Sequence, residues 1–305
     1  MMNLQAGQTA VITGAGSGFG LELARLGARQ GLNLVLADVQ QDALDAVKAE
    51  LTGLGAKVVA LRGDVSRAED VEALAVACKE RFGAPHIVIN NAGVAHGGLI
   101  WEHTTRDWEW VLGVNLWGVI HGVRVFTPLM LEAARQDPSW RGHIVNVASM
   151  AGLLNSPNMG AYNVSKHAVV SLSETLYQDL ALVTEQVHCS VLCPYFVPTG
   201  IHESHRNRPA ELRSEGRPTP SQLIAQAMST KAVTSGRVSA SDVAQLVFKA
   251  IEQGQFYVYS HPQALGMVQT RLEDVVQARN PTDPFAGKPE IGEGLKKSLR
   301  EAMAR

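Results

Sequence analysis

A doubly wound α/β fold is what the 305-residue chain predicts: a parallel sheet of about seven strands, helices on both faces, and a helical extension at the C-terminus. Three observations carry that expectation. Short, unbroken apolar runs alternate with helix-patterned stretches from residue 9 to about residue 260, and strands buried on both faces read as continuous apolar runs. A glycine-rich turn, TGAGSGFG (13–20), lies between the first such run and the first helical stretch. Parallel neighbours need right-handed crossovers, which place the helices on both sides of the sheet.

The elements follow in order. TAVIT (9–13) is the first strand, and ELARLGARQG (22–31) reads as the helix after the turn. Between them Gly14, Gly18 and Gly20 have the spacing G-x-x-x-G-x-G. Glycine permits the tight turn and lets the backbone approach a pyrophosphate. The helix N-terminus then offers free N–H groups to that anion. The second strand, NLVLAD (33–38), ends in Asp38, which is placed to accept hydrogen bonds from the adenosine ribose hydroxyls and to repel a 2′-phosphate. Ser17 is neutral, Val39 follows Asp38, and no arginine or lysine is placed nearby to hold the extra phosphate. NAD is therefore favoured over NADP.

Further strands are read at KVVALR (57–62), HIVIN (86–90), HIVNVAS (143–149), VHCSVLC (187–193) and FYVYS (256–260). Helical patterns lie at 40–52, 67–82, 106–135, 160–183 and 240–253. The stretch 203–220 is polar and rich in proline and arginine, and reads as a loop at the carboxyl edge of the sheet, either a lid or a plain surface loop. One domain over 1–261 is expected, with 195–238 as its substrate loop, followed by an extension over 262–305. That extension pairs an amphipathic stretch (263–279) with a charged helical tail (290–305). It either covers the substrate pocket or packs against another subunit.

Bulk properties narrow the function. A net charge of −2 with 46% hydrophobic residues gives no footing for nucleic acid or an anionic membrane. No apolar run reaches eighteen residues, and MMNLQAGQ lacks the regions of a signal peptide. Cys78, Cys189 and Cys193 have no metal spacing and read as reduced thiols. A cytoplasmic protein without a metal is expected.

Tyr162 and Lys166 lie four residues apart on a probable helix and so share a face. A lysine cation favours phenolate, and a tyrosine so tuned can take the proton of an alcohol or return it to a ketone. Ser149 ends the fifth strand at the ligand edge, where its hydroxyl can stabilise charge developing on the substrate oxygen.

These residues together resemble the short-chain dehydrogenase/reductase family, in its compact branch with a Rossmann-like fold. The resemblance runs from about residue 6 to 260 and rests on TGAGSGFG, Asp38, Asp64-Val65, NNAG (90–93), Asn115 in GVNLWG, Ser149, YNVSK (162–166) and Pro194. It implies a tetrad: Tyr162 as acid/base, Lys166 on the nicotinamide ribose and lowering the tyrosine pKa, Ser149 orienting substrate, and Asn115 supporting a relay water. It also implies a cofactor site of Gly14, Ser17, Gly18, Phe19, Gly20, Asp38, Asp64 at the adenine, Val65, Asn91 at the ribose, Gly93, Pro194, Val197 and Thr199. A homodimer or homotetramer is implied as well. One departure stands out. Tyr195 follows Pro194 where the family usually has glycine, so a different backbone angle or a reshaped substrate side is expected.

On the substrate side Met150, Leu153, Met159, Tyr195, Phe196 and Ile201 are apolar, with His96 and His202 as polar contacts. They favour a hydrophobic or aromatic secondary alcohol or ketone over a sugar or small acid. His121, His143 and His167 read as surface or satisfied histidines, and Trp101, Trp108, Trp110 and Trp117 as core or interface residues. The reading is an NAD-dependent alcohol dehydrogenase or ketoreductase. Its alternatives are an NADP-dependent ketoreductase and a non-catalytic dinucleotide sensor or scaffold.

Overall fold

The structure, a computed structural model, describes residues 2–214 and 216–304. The strands are β1 (Thr9–Thr13), β2 (Asn33–Asp38), β3 (Val58–Arg62), β4 (Ile87–Asn90), β5 (Gly142–Val147), β6 (Val187–Cys193) and β7 (Tyr257–Tyr259). Among the described residues they form one sheet in the order β3-β2-β1-β4-β5-β6-β7, with every neighbouring pair parallel. The chain reverses its direction of travel between β1 and β4, and ligands bind at such a switch point beyond the carboxyl ends of the strands.

Alternation along each strand sends side chains to two cores. Ile12, Leu34, Leu36 and Ile89 face helices α1 (Gly18–Arg29), α2 (Gln41–Gly53) and α8 (Ala240–Gln253), meeting Leu23, Leu44 and Phe248. Val11, Val35, Val88 and Ile144 face α3 (Ala68–Phe82), α5 (Gly118–Gln136) and α6 (Gly160–Val183), meeting Leu74, Phe126 and Leu176. Each large side chain so buried contributes about 1.5–3 kcal/mol, which is why apolar residues dominate the strands; buried polar residues there are paired, Asn90 with Asn146 and His143 with Ser190.

Three local results position the site. First, α1 starts at Gly18, inside the glycine turn and four residues before the expected start, so its free N–H groups open directly onto that turn. Second, the expected helix at 106–135 is interrupted. Thr104 caps α4 (Thr105–Leu112), with its hydroxyl accepting from the Asp107 N–H while the Asp107 carboxylate accepts from the Thr104 N–H. A π turn, Gly113–Trp117, then inserts before α5. The run Thr105–Gln136 is long and apolar enough to cross a membrane by composition, but Phe126, Met130 and Ala134 pack its apolar face against the sheet. Third, the stretch expected as loop over 203–220 contains 3₁₀ turns at Gly200–Asn207 and Ala210–Leu212, and is followed by an unexpected helix, α7 (Pro220–Thr234). The extension forms α9 (Leu265–Val276) and α10 (Pro289–Met303), and α10 packs on α7.

Candidate active site

Ser149 lies just past β5 and opens a 3₁₀ turn, Met150–Gly152. Its Oγ accepts from the Ala151 N–H at 3.1 Å and donates to the Pro194 carbonyl at 3.4 Å. Tyr162 and Lys166 stand on one face of the first turns of α6, and the Ser149 hydroxyl is near enough to the Tyr162 phenol to favour its ionised form. The Lys166 Nζ donates to the Val147 carbonyl at 2.9 Å and sits 5.8 Å from the Tyr162 ring centre. Lys166 is 2% exposed and Tyr162 9%. Burial pushes the Tyr162 phenol above its ordinary value, opposed by the Ser149 hydroxyl. The same burial pulls Lys166 down to about 8. The expected lowering of Tyr162 by Lys166 is thus overridden here, because removal from water penalises phenolate and ammonium alike.

Asn115 occupies the π turn, fully buried. Its Oδ1 accepts from the Val94 N–H at 2.8 Å, and its Nδ2 donates to the Val94 carbonyl at 2.9 Å and to Ser165 Oγ at 3.0 Å. Ser165 in turn donates to the Tyr162 carbonyl at 2.8 Å. The side chain therefore straps the segment after β4 to the helix that carries Tyr162.

A cleft of about 1900 Å³ runs along the carboxyl edge of the sheet. At one end Gly14, Ser17, Gly18 and Phe19 line it, with Asp38, Asp64 and Val65 beside them. Gly14 has φ +65°, and a Cβ there would stand 2.8 Å from the Ala92 Cα. Gly20 lies beneath the turn, where a Cβ would meet the Gly14 carbonyl oxygen at 2.1 Å. The first turn of α1 holds no acidic residue, and the Ser17 side chain makes no capping bond. Asp38 accepts from the Gly16 N–H at 2.8 Å and the Gln40 N–H at 2.9 Å, so its carboxylate is held at the glycine turn. Asn91 donates to the carbonyls of Thr13 and Gly14, fastening that turn to β4. Asp64 Oδ1 accepts from the Ser66 N–H and hydroxyl. Gly93, Pro194, Val197 and Thr199 continue the wall toward Tyr162, and Thr199 lies over Gly18.

Residues 8–210 match the family described as short chain dehydrogenase. The chain belongs to the short-chain dehydrogenase/reductase family. It is an NAD(P)-dependent oxidoreductase of that family. A short-chain dehydrogenase/reductase from Burkholderia phymatum, solved in complex with NAD, is 52% identical, with a TM-score of 0.90 over 93% of this chain and 99% of that one. The CLA biosynthesis dehydrogenase/reductase of Lactiplantibacillus plantarum is 32% identical over 87% of this chain and 92% of its own length. The 1-deoxy-11-beta-hydroxypentalenate dehydrogenase of Streptomyces exfoliatus is 35% identical over 90% of each.

Beyond the family's core motifs, Met150, Met159, Tyr195, Phe196 and Ile201 line the cleft as expected of a substrate side. Three expected residues do not. Leu153 packs into the core beside Met150 and Val170. His202 turns back, its Nδ1 3.0 Å from the Thr199 carbonyl. His96 is drawn behind the wall, its Nε2 3.3 Å from Asp107 Oδ1 and its ring beside His103 and Trp110. At Tyr195 the backbone needs no unusual angle, since Asn158 and Ala278 are the non-glycine residues of positive φ among those described. Its ring lies against Phe196, centroids 4.2 Å apart and tilted by 38°, and its N–H donates to Ser260 Oγ. Sequence reasoning missed Trp110, Leu212, Met228 on α7, and Met267, Phe285 and Ile291 of the extension, all of which line the cleft. The sequence TPSQ (219–222) was the available signal for α7: a Thr219–Gln222 capping box with proline at the first helical position.

Proposed function

We propose that the protein is an NAD-dependent dehydrogenase that interconverts a hydrophobic or aromatic secondary alcohol and its ketone. The observation that carries this reading is that Ser149, Tyr162 and the buried Lys166 line the cleft together, where its glycine-lined end meets its apolar end. The first end fits a dinucleotide: backbone close to where phosphates would lie, a helix N-terminus free of acidic residues, and the Asp38 carboxylate beside the turn. A 2′-phosphate there would face that carboxylate, which favours NAD over NADP. The Burkholderia neighbour was solved with NAD.

When bound, NAD supplies the hydride acceptor. The chain's own residues handle the proton. Tyr162 Oη takes it from the alcohol hydroxyl in oxidation and returns it in reduction. Ser149 Oγ donates to the substrate oxygen, where charge develops. Burial raises the phenol, but it disfavours phenolate and ammonium less as a pair than singly. Lys166, its Nζ 5.8 Å from the Tyr162 ring centre, keeps a cation near the phenolate and offsets part of that penalty. Lys166 also reaches toward the nicotinamide ribose. With the Asn115 amide committed to Val94 and Ser165, a relay water would be left to its main-chain carbonyl.

The substrate reading rests on the wall. Met150, Met159, Phe196, Met228, Met267 and Phe285 are apolar, and 1900 Å³ exceeds the usual 300–1,000 Å³ of a single ligand site. The cleft thus has room for a dinucleotide and a sizeable substrate. The Streptomyces relative is named as a dehydrogenase of 1-deoxy-11-beta-hydroxypentalenate, a hydroxylated substrate.

Exposed Trp117 on the π turn, with Val164 and Tyr177 on α6, supports a homodimer or homotetramer paired through these helices. Three free, buried cysteines accord with the cytoplasm. The test is Tyr162→Phe, assayed by NADH absorbance against a panel of aryl, alicyclic, steroid and aliphatic secondary alcohols. Turnover should fall by about 10²–10⁴, while NAD still binds in a fluorescence titration. Undiminished turnover would end the proposal.

A further inference from the structure

Most ion pairs of this protein lie at its surface, where they contribute little. One does not. Asp107 is fully buried, and Arg208, 101 residues further along, keeps only 9% of its side chain exposed. The Arg208 Nη1 donates to Asp107 Oδ1 at 2.6 Å. Its Nε donates to the Leu212 carbonyl at 2.7 Å, and its guanidinium lies 5.0 Å over the Trp110 ring. The same Asp107 oxygen receives Ser214 Oγ at 3.3 Å and faces His96 at 3.3 Å, while Oδ2 closes the α4 capping box. Next to it the Arg106 Nη1 donates to the Arg213 carbonyl at 3.1 Å. Burial works to raise the Asp107 carboxyl, but the bonds from His96, Thr104 and Arg208 hold it well below the usual carboxylate range.

His96, His103 and Asp107 bring one ligand atom each within 4.8 Å of one another, a grouping that would suit a metal. Arg208 already binds the Asp107 oxygen that would face such an ion, so the positive charge at this place is the protein's own.

A buried ion pair is weak evidence of stability, so the question is what it holds in place. Arg208 and Leu212 belong to the segment between β6 and α7. Pro209 and Leu212 line the cleft there, on the same wall as Trp110 from α4. Leu212 also packs against Val94, Trp110 and Val111. We propose that the Asp107–Arg208 pair is a clasp that fixes the substrate loop to α4 and pre-forms the cleft wall of Trp110, Pro209 and Leu212. Arg208 is then a positioning residue for substrate, which it does not itself need to touch. The inference rests on the proposed reading that the alcohol enters this end of the cleft, and half of its test does not depend on that reading.

Arg208→Met keeps the aliphatic stem and removes the fork, and Arg208→Lys restores charge without the second bond to Leu212. In the full-length protein, digestion by subtilisin should cut within 200–214 at least about tenfold faster in Arg208→Met, since a loop held by a buried pair opens more often once the pair is gone. Arg208→Lys should fall between that variant and the parent. With an active alcohol, Arg208→Met should raise KM by about tenfold while kcat and the NAD dissociation constant stay within about twofold. Parental cleavage rates in Arg208→Met would overturn the clasp whatever the activity. Faster cleavage with an unchanged KM would overturn its part in shaping the substrate wall. Loss of NAD affinity in both variants would show a general loosening and overturn the assignment as well. Failure of the alcohol reading itself would show differently: no turnover in the parent, with the cleavage result intact.

Discussion

Asn115→Ala tests whether the tetrad's asparagine acts by strapping or by direct participation. The substitution removes three hydrogen bonds, of 2.8, 2.9 and 3.0 Å, from a fully buried amide. Ser165 keeps its bond to the Tyr162 carbonyl, so the groups left without partners are the Val94 N–H and C=O. Each lost bond is worth about 1 kcal/mol net, and each orphaned buried group adds about 1–3 kcal/mol. Because these contributions overlap, a loss of about 3–5 kcal/mol is expected, or roughly 5–8 °C in Tm for a chain of this length. Thermal and urea unfolding, with an unchanged urea slope, would measure it. NAD binding below the transition should persist while turnover drops, because Val94 and Tyr162 lose their common tie. Stability within about 1 kcal/mol of the parent, with turnover abolished, would refute the strap and place the side chain at the chemistry.

Other outcomes follow from individual side chains. Asp38→Ala should weaken NAD and shift the NAD:NADP preference by about 100-fold, as the carboxylate that would face a 2′-phosphate is removed; tighter NADP than NAD binding in the parent would contradict the cofactor assignment. Lys166, lowered by burial to about 8 from 10.5, carries its proton below that pH and loses it above. NAD affinity should therefore be flat up to about pH 8 and fall beyond it, and Lys166→Met should abolish the break; a parent profile flat through pH 9 would disconnect the lysine from the cofactor. His143 is buried beside Ser190 and pulled down to about 3 from 6.5. The unfolded chain binds a proton there as pH falls through 6.5 while the folded one does not. Stability should thus drop by about 2 kcal/mol from pH 7 to 5, measured as a urea midpoint, and the same slope in His143→Gln would assign it to other groups.

The strands were legible because a strand covered on both faces is dominated by apolar residues; TAVIT, HIVIN and VHCSVLC keep short apolar cores despite Asn90, His188 and Ser190. The ends at the glycine turn and Asp38 were legible too, whereas Ser149 falls two residues past the end of β5 at Val147. What failed to show was anything set by a distant partner. GVNLW reads as ordinary helix, and its π turn is visible only once Asn115 reaches both Val94 and Ser165. His96 sits five residues beyond Asn91 and so reads as a cleft residue, but Asp107 and the aromatic rings of Trp110 and His103 draw it behind the wall. The arginine- and proline-rich stretch before α7 reads as loop because its one fully structured role, the Arg208 fork, depends on a carboxylate 101 residues earlier. The choice between the extension's two expected roles could not be read, since Met267, Phe285 and Ile291 are ordinary apolar residues until α10 meets α7 and they line the cleft.

These ties converge on one element. The run from α4 through the π turn to α5 holds the substrate loop at its start, through Asp107 and Arg106. At its middle it holds Val94 and, through Ser165, the backbone of Tyr162. Farther on, Phe126 and Met130 anchor it in the core beneath the sheet. A displacement of about 1 Å between proton acceptor and substrate can cost about 100-fold in rate, so a single rod that references both to the sheet limits that error. Met228 on α7 and the extension's Met267, Phe285 and Ile291 take part in none of these ties, although α7 itself meets the substrate loop at Gly200–Asn207. Substrate preference can therefore change there, at Met228, Met267, Phe285 and Ile291, without disturbing the geometry of Ser149, Tyr162 and Lys166.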